Sequence, residues 1–318
     1  QLIIQQLSLR DISQKALQQL VADNMAEITA QPAYQMLQET GKMRATQHYL
    51  AKVSEILAVN MQRAARVNHA QPKAVERLFG FPNRQSLPAL VVSTPQATVH
   101  LRGKIDRLDS QDPSQVYGTI IDYKSNGKHF DWGQAYDGRQ MQLLTYWQAA
   151  QLSAEQLGIE AIGGAFFAKI APEKLTIKDF KGDVRAMLRG EIKPEQFKYR
   201  GLFISEPAYI DSLETLAEGE GSQFYQLKKK ANGELYANSD VILPEDFELL
   251  LKRNLDNIQR ASAAILSGDF PLSPAEGGLQ FTPFTDVLRF DRALGDQYKS
   301  NTPKNKSDIL KLLKADEE

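Results

Sequence analysis

Cysteine is absent from the 318 residues, which excludes disulfides, thiolate zinc sites and cysteine nucleophiles together. Histidine is scarce: His48, His69, His100 and His129 are the only four, and none lies in a His-Glu-x-x-His pattern. A histidine-rich zinc enzyme is therefore disfavoured. No Gly-x-x-x-x-Gly-Lys-Ser/Thr loop occurs either, so this piece is not expected to hydrolyse ATP. Gly127-Lys128 follows Asp-Tyr-Lys-Ser-Asn and reads as a turn. No apolar run is long enough to span a bilayer, and no secretory pattern opens the chain. Neither sign of charge dominates, with 38 basic against 39 acidic residues, so any surface for nucleic acid must be local. The length suits one large or two modest domains, and Gln1 in place of Met suggests a piece of a longer polypeptide.

What is present is organised around Gly103 to Lys124, which reads Gly-Lys-Ile-Asp-Arg-Leu-Asp, a turn-rich gap, then Gly-Thr-Ile-Ile-Asp-Tyr-Lys. The residues from Thr98 to Leu108 and from Thr119 to Tyr123 predict two strands. Asp109 to Ser114 supplies the Pro and short polar residues of a hairpin loop. Alternation along a strand sends Asp122 and Lys124 to one face and Ile121 and Tyr123 to the other. The antiparallel hairpin then sets Asp106 opposite Asp122. Two such carboxylates repel unless a cation sits between them, and Mg²⁺ favours oxygen ligands while keeping waters in its other positions. Lys124 would add positive charge where a phosphoryl group becomes more anionic, or hold the attacking water.

Asp-x-Lys alone describes many solvated strand faces where the pair is only an ion pair, so the surrounding residues have to carry the argument. Gln134 to Leu152 predicts a helix, with Gln142 and Tyr146 four apart on one face and Leu143 and Trp147 on an adjoining apolar one. Glu76 lies in Pro72 to Gly80, expected as a short helical segment, from which a further carboxylate could reach the waters of a bound ion.

In these stretches the chain resembles the RecB-like branch of the PD-(D/E)XK nucleases, and within it the C-terminal nuclease domains of the AddB/RexB family. The matching runs are Glu76 to Gly80 (Glu-Arg-Leu-Phe-Gly), Gly103 to Asp109, Ile120 to Ser125 (Ile-Ile-Asp-Tyr-Lys-Ser) and Gln142 to Tyr146 (Gln-Leu-Leu-Thr-Tyr). The resemblance implies an α/β, restriction-endonuclease-like core: a mixed central sheet flanked by helices, with a helical N-terminal part. It implies Asp106, Asp122 and the Tyr123 carbonyl as ligands of Mg²⁺, with Mn²⁺ able to substitute. Lys124 is implied as the catalytic lysine, with Glu76, Gln142 and Tyr146 as accessory residues. By the same resemblance the parent protein is a cytoplasmic exonuclease subunit with no membrane partner. It would degrade the 5′-ended DNA strand during recombinational repair of double-strand breaks, working with an AddA/RexA-type helicase-nuclease partner. The competing reading is a catalytically idle nuclease fold that serves as a DNA-binding or docking scaffold.

Two family features are missing. A metal-ligand histidine on an early helix has no counterpart among the four histidines, and is expected upstream of Gln1 or not at all. Aligned on Phe290-Asp291, three iron–sulfur cysteines of many AddB relatives become Leu279, Thr282 and Leu288, none of which can replace a thiolate. No iron–sulfur cluster is expected, and Phe281, Phe284 and Phe290 are expected to pack in its place.

The remainder divides into a helical part over 1–70, a nuclease core over 71–295 and a polar, mobile tail over 296–318. Leu50, Val53, Leu57 and Met61 mark a long helix between Lys42 and Ala70. Ile162 to Ile170 predicts a buried strand that pairs in parallel with its neighbour after a helical crossover. Between Lys169 and Arg200 nine basic residues stand against five acidic, which suits a solvated face or DNA contact equally. Asn232-Gly233 predicts a tight turn between two extended runs, with Lys228 to Lys230 beside it. Pro244 and Gly268 bound a helix whose buried stripe is expected to be Phe247, Leu250, Leu251, Leu255, Ile258 and Ile265.

Overall fold

The computed structural model describes residues 10–68, 70–111, 116–125, 127–170, 197–280, 282–299 and 305–317. The basic stretch between Lys169 and Arg200 falls largely at 171–196, outside the described residues. The described chain forms two compact units interleaved along the sequence.

The larger unit carries a six-stranded mixed sheet. Its strands are β1 (Ala70–Phe79), β4 (Gly103–Gln111), β5 (Tyr117–Lys124), β6 (Ala161–Lys169), β7 (Arg200–Ile204) and β8 (Val241–Ile242), in the spatial order β1-β4-β5-β6-β7-β8. β1 pairs antiparallel with β4 and β4 with β5, while β5 and β6 pair in parallel, as the run Ile162 to Ile170 predicts. β6 returns antiparallel to β7, which pairs in parallel with β8.

Helices α1 (Gln14–Ala30) and α2 (Gly41–Asn68) precede the sheet, and α2 matches the helix expected from Lys42 onward. Leu17 and Val21 of α1 pack on Ala58 and Met61 of α2, with Val75 and Tyr123 against the same group. These helices therefore cover the sheet face that carries Tyr123. Further along that face, Ile121, Phe166, Tyr199, Phe203, Tyr209 and Tyr225 form one aromatic-rich core. Its polar tips are satisfied, with Tyr209 and Thr119 hydroxyls 2.8 Å apart and Asn68 Nδ2 donating to the Tyr225 hydroxyl at 2.8 Å. Burial pushes the tyrosine phenols of this cluster upward, so they stay neutral donors.

The helical segment expected around Glu76 is instead strand β1. Eight backbone pairings with β4, from Ala70↔Gln111 to Phe79↔Gly103, replace the local bonds a helix would make. The register shifts between Pro72 and Ala74, where proline can donate nothing to the ladder. The strand expected from Thr98 to Leu108 breaks at Arg102. β2 (Leu90–Ser93) and β3 (Thr98–Leu101) form a separate two-stranded sheet. Near Asn232-Gly233 the tight turn forms, with Gly233 at φ 83° and Lys229 bridging Leu235, but among the described residues the flanking runs build no continuous ladder.

The helix expected over Gln134 to Leu152 is broken. In the smaller unit α3 (Trp132–Tyr136) ends before Gly138, at φ 75°; α4 (Gln142–Gln151) starts afresh and, from Leu143 on, belongs to the larger unit. Asn257 Nδ2 donates to the last carbonyls of α3, Ala135 at 3.3 Å and Tyr136 at 3.0 Å, where helical partners run out. Asn257 sits on α5 (Pro244–Ser267), which Gly268 closes at φ 72°. Phe247, Leu250 and Ile258 of its expected stripe are buried, whereas Ile265 in its last turn is exposed. Of the three phenylalanines expected to pack where relatives hold a cluster, Phe290 stacks near Tyr298, Phe284 is exposed, and Phe281 lies outside the described residues. The expected polar tail contains helix α6 (Lys306–Ala315), capped by Asn305 and burying Ile309 and Leu313. Among the described residues no helix is long and apolar enough to cross a membrane.

Gly201 on β7 marks the tightest approach in the sheet, since a Cβ there would meet the Ala165 carbonyl oxygen at 2.0 Å. Backbone cannot yield as a flexible side chain can. Gly201→Ala is expected to cost about 1–3 kcal/mol or more, read as a fall in the urea midpoint, and an unchanged midpoint would show that β7 does not lie as described.

Candidate active site

Pairing fixes the site before any side chain is considered. β4 and β5 are matched Arg107↔Ile121, Leu108↔Ile120, Asp109↔Thr119 and Ser110↔Gly118, and one further step along that register brings Asp106 to Asp122. The Tyr123 N–H closes the join by donating to Asp106 Oδ2 at 3.0 Å. Tyr123 lies one residue beyond Asp122 along β5, past the last β4–β5 pair, and beside Ala168 of β6. The Lys124 carbonyl accepts from Ile170 N–H at 3.0 Å.

Asp122 is 1% exposed, and the Lys124 ammonium forms an ion pair with its carboxylate. Burial pushes the Asp122 carboxyl above the ordinary aspartate range, the Lys124 hydrogen bond and charge pull it back, Asp106 pushes it up, and Lys128 pulls it down. The Lys124 ammonium also lies 5.5 Å from the centre of the Phe167 ring. Asp106, Asp122 and Lys124 thus come together on one face, as alternation along the two strands predicts.

The accessory residues are placed differently. Glu76 stands at the level of Asp106, between the pairs Val75↔Arg107 and Arg77↔Ile105. Its φ of 51° is unusual for a residue with a side chain, and its carboxylate pairs with Lys104. Among the described residues no three His, Cys, Asp or Glu side chains are grouped to hold a metal ion, so Glu76 does not complete a carboxylate triad. Tyr146 packs edge-on to Phe79 at 6.0 Å and lies over Gly103, where β4 begins. Gln142 is half-buried at the first residue of α4 and belongs to the smaller unit.

Beneath the carboxylates lies a network that the sequence reading overlooked. Arg107, 3% exposed, donates to Asp109 through Nε at 2.5 Å and Nη2 at 2.6 Å, and through Nη1 to the Tyr123 hydroxyl at 3.2 Å. Burial opposes the arginine's charge, and the charge and hydrogen bond of Asp109, with Tyr123 and Tyr199, together more than offset it. The signal was available: Arg107 and Asp109 are two apart on a strand, so they share the face opposite Asp106.

Residues 3–277 match the PD-(D/E)XK nuclease superfamily, and the chain belongs to it. The six-stranded mixed sheet with flanking helices and a helical N-terminal part is that family's fold. Among curated relatives the chain is 99% identical over 318 residues to an ATP-dependent helicase/deoxyribonuclease subunit of Leuconostoc citreum, covering 100% of this chain and 27% of that protein. It is 55% identical over 315 residues to the like-named protein of Leuconostoc mesenteroides, covering 99% and 27%. Against the like-named protein of Oenococcus oeni it is 31% identical over 341 residues, covering 99% and 29%. The chain therefore spans under a third of the length of these relatives.

Removing one member of the buried Arg107–Asp109 pair leaves the other charged and dry. Asp109→Asn is expected to cost about 3–5 kcal/mol, whereas Arg107→Met with Asp109→Leu recovers most of that loss. Chemical denaturation of the single and double variants decides the matter, and equal stability of Asp109→Asn and the parent chain would contradict the geometry.

Proposed function

We propose that this chain is a metal-dependent deoxyribonuclease domain that hydrolyses phosphodiester bonds at Asp106, Asp122 and Lys124. The observation that carries the reading is the convergence of two aspartates from neighbouring strands, one held by the Tyr123 N–H and the other paired with Lys124. The donor set suits a hard divalent cation such as Mg²⁺, with Mn²⁺ as a substitute, because it offers two carboxylates and the Tyr123 main-chain oxygen and leaves other positions to water. When bound, such an ion polarises a phosphoryl oxygen and acidifies its water.

The chain's own residues do the rest. Asp106 and Asp122 would hold the ion. Lys124 exchanges its contact with Asp122 for the anionic phosphoryl oxygens as charge builds there. Water adds its oxygen to phosphorus and gives up a proton to solvent, the bond from phosphorus to the leaving sugar oxygen breaks, and that oxygen takes a proton from solvent. Tyr146, beside the start of β4, is assigned to the DNA strand near the site; a role for Gln142 on the DNA rests on the family resemblance alone. The relatives' name, which joins helicase and deoxyribonuclease in one subunit, supports placing the parent protein in a helicase-nuclease with an AddA/RexA-type partner. Action on the 5′-ended strand in double-strand break repair rests on the family resemblance alone. The competing scaffold reading draws on one observation, that only two carboxylates converge among the described residues.

Strand degradation with Mg²⁺, measured on end-labelled DNA in the chain and in the complete protein with its helicase partner, separates the two. Asp122→Asn is expected to abolish it and Lys124→Ala to lower kcat on the order of 10²–10³-fold, whereas undiminished degradation by Asp122→Asn in the complete protein with its partner, with none by the chain alone, would support the scaffold reading.

The raised carboxyl of Asp122 gives a second readout. A native-state acid with a raised pKa keeps its proton longer than the unfolded chain does, so stability falls as pH climbs from the ordinary aspartate value, about 4, through the raised one. Without metal, Asp122→Asn is therefore expected to melt higher than the parent chain at neutral pH, with the difference closing as pH falls through that window. Mg²⁺ should raise the melting temperature of the parent chain but not of Asp122→Asn.

A further inference from the structure

The loop that leaves β5 does more than turn. In the parallel pairing of β5 with β6, Asp122 stands beside Phe167 and Lys124 beside Lys169, so these four residues share the face on which the carboxylates meet. Phe167 is 1% exposed. Its ring has the Lys124 ammonium 5.5 Å from its centre and, closer still, that of Lys128 at 4.9 Å. At Gly127 an added Cβ would lie 3.8 Å from the Lys169 ammonium, so the same loop also runs past a third lysine. Among the described residues Lys128 makes no ion pair, in contrast to Lys124 with Asp122. Lys128 is nonetheless near enough to act on the Asp122 carboxyl.

Gathering like charges is unfavourable unless something anionic is to be bound. An aromatic face holds an ammonium by cation–π attraction of about 0.5–1 kcal/mol at exposed sites without neutralising it. Such a cation can meet a phosphate without first giving up a carboxylate, as Lys124 must give up Asp122.

We propose that Lys128, seated on Phe167, is a positioning residue that binds a backbone phosphate of the DNA strand next to the one presented to Asp106 and Asp122. This rests on the assignment of the carboxylates as a nuclease site. Lys124 then serves the reacting phosphate and Lys128 its neighbour, which sets the strand's register across the site. Phosphate contacts of this kind carry no sequence information, so the contact serves every sequence alike.

The test is fluorescence anisotropy of the 318-residue chain with a labelled single-stranded oligodeoxynucleotide, in EDTA so that no hydrolysis intervenes, over a series of KCl concentrations. Lys128→Gln is expected to weaken binding several-fold and to reduce the slope of log affinity against log salt by about 0.7, the value for one phosphate contact on a single strand. Lys128→Arg should restore both. Lys252→Gln, which removes an exposed charge paired with Glu317, should leave the slope unaltered. The proposal is overturned by an unchanged slope in Lys128→Gln, by an equal fall in Lys252→Gln, or by no measurable binding of the parent chain at low salt. Circular dichroism and the melting midpoint show that the variants fold. Cleavage by Asp122→Asn keeps the two claims apart: if it persists while Lys128→Gln lowers the slope, the carboxylate assignment fails and the phosphate contact stands.

Discussion

The backbone register between β4 and β5 is the constraint on which the site depends. Because side chains alternate along a strand, a slip of one residue would send Asp122 and Lys124 to the opposite face and break their relation to Asp106. Both faces of the pair resist that slip. On one side Leu108 and Ile120 are directly paired and buried, and on the other Arg107 is tied to Asp109 and to the Tyr123 hydroxyl. Tyr123 joins the two levels. Its main chain holds Asp106, while its ring is embedded with Met61, Leu57 and Val75 under the N-terminal helices.

This arrangement accounts for a charged layer on each side of one hairpin. The buried Arg107–Asp109 pair is matched, bidentate and permanent, so it behaves as scaffold. The layer above it is unbalanced: Asp122 is buried beside a second aspartate, and burial raises its carboxyl despite Lys124. Acidic groups crowded without a matching cation lower the stability of the empty fold and become favourable once a divalent ion joins them.

Much of this was legible in the residues. Alternation alone put Asp122 and Lys124 on one face, and the hairpin composition brought Asp106 alongside. The parallel β6 followed from an apolar run after a helical segment, and Pro244 with Gly268 bounded α5 correctly. Other readings failed for identifiable reasons. Around Glu76 local helix propensity was overridden by eight pairings with β4, a non-local effect that no short window contains. Ile265 fits the apolar stripe of α5 yet is exposed, because its position in the last turn outlasts the surface that the helix covers. The Asn305 cap and buried Ile309 of α6 were hidden by the polar composition around them.

By itself the sequence determined the chemistry on offer: no thiolates, almost no imidazoles, and two aspartates with a lysine on strands whose alternation dictates their facing. Tertiary structure decided which of the charged residues meet. It buried Arg107 with Asp109, drew Glu76 to Lys104, and seated Lys124 and Lys128 on one ring contributed by β6. The division has a physical cause. Facing within a strand is a property of the local backbone, which repeats every second residue. Proximity between residues far apart in the chain, such as Lys128 and Phe167, depends on strand order and on the burial free energy of the whole sheet.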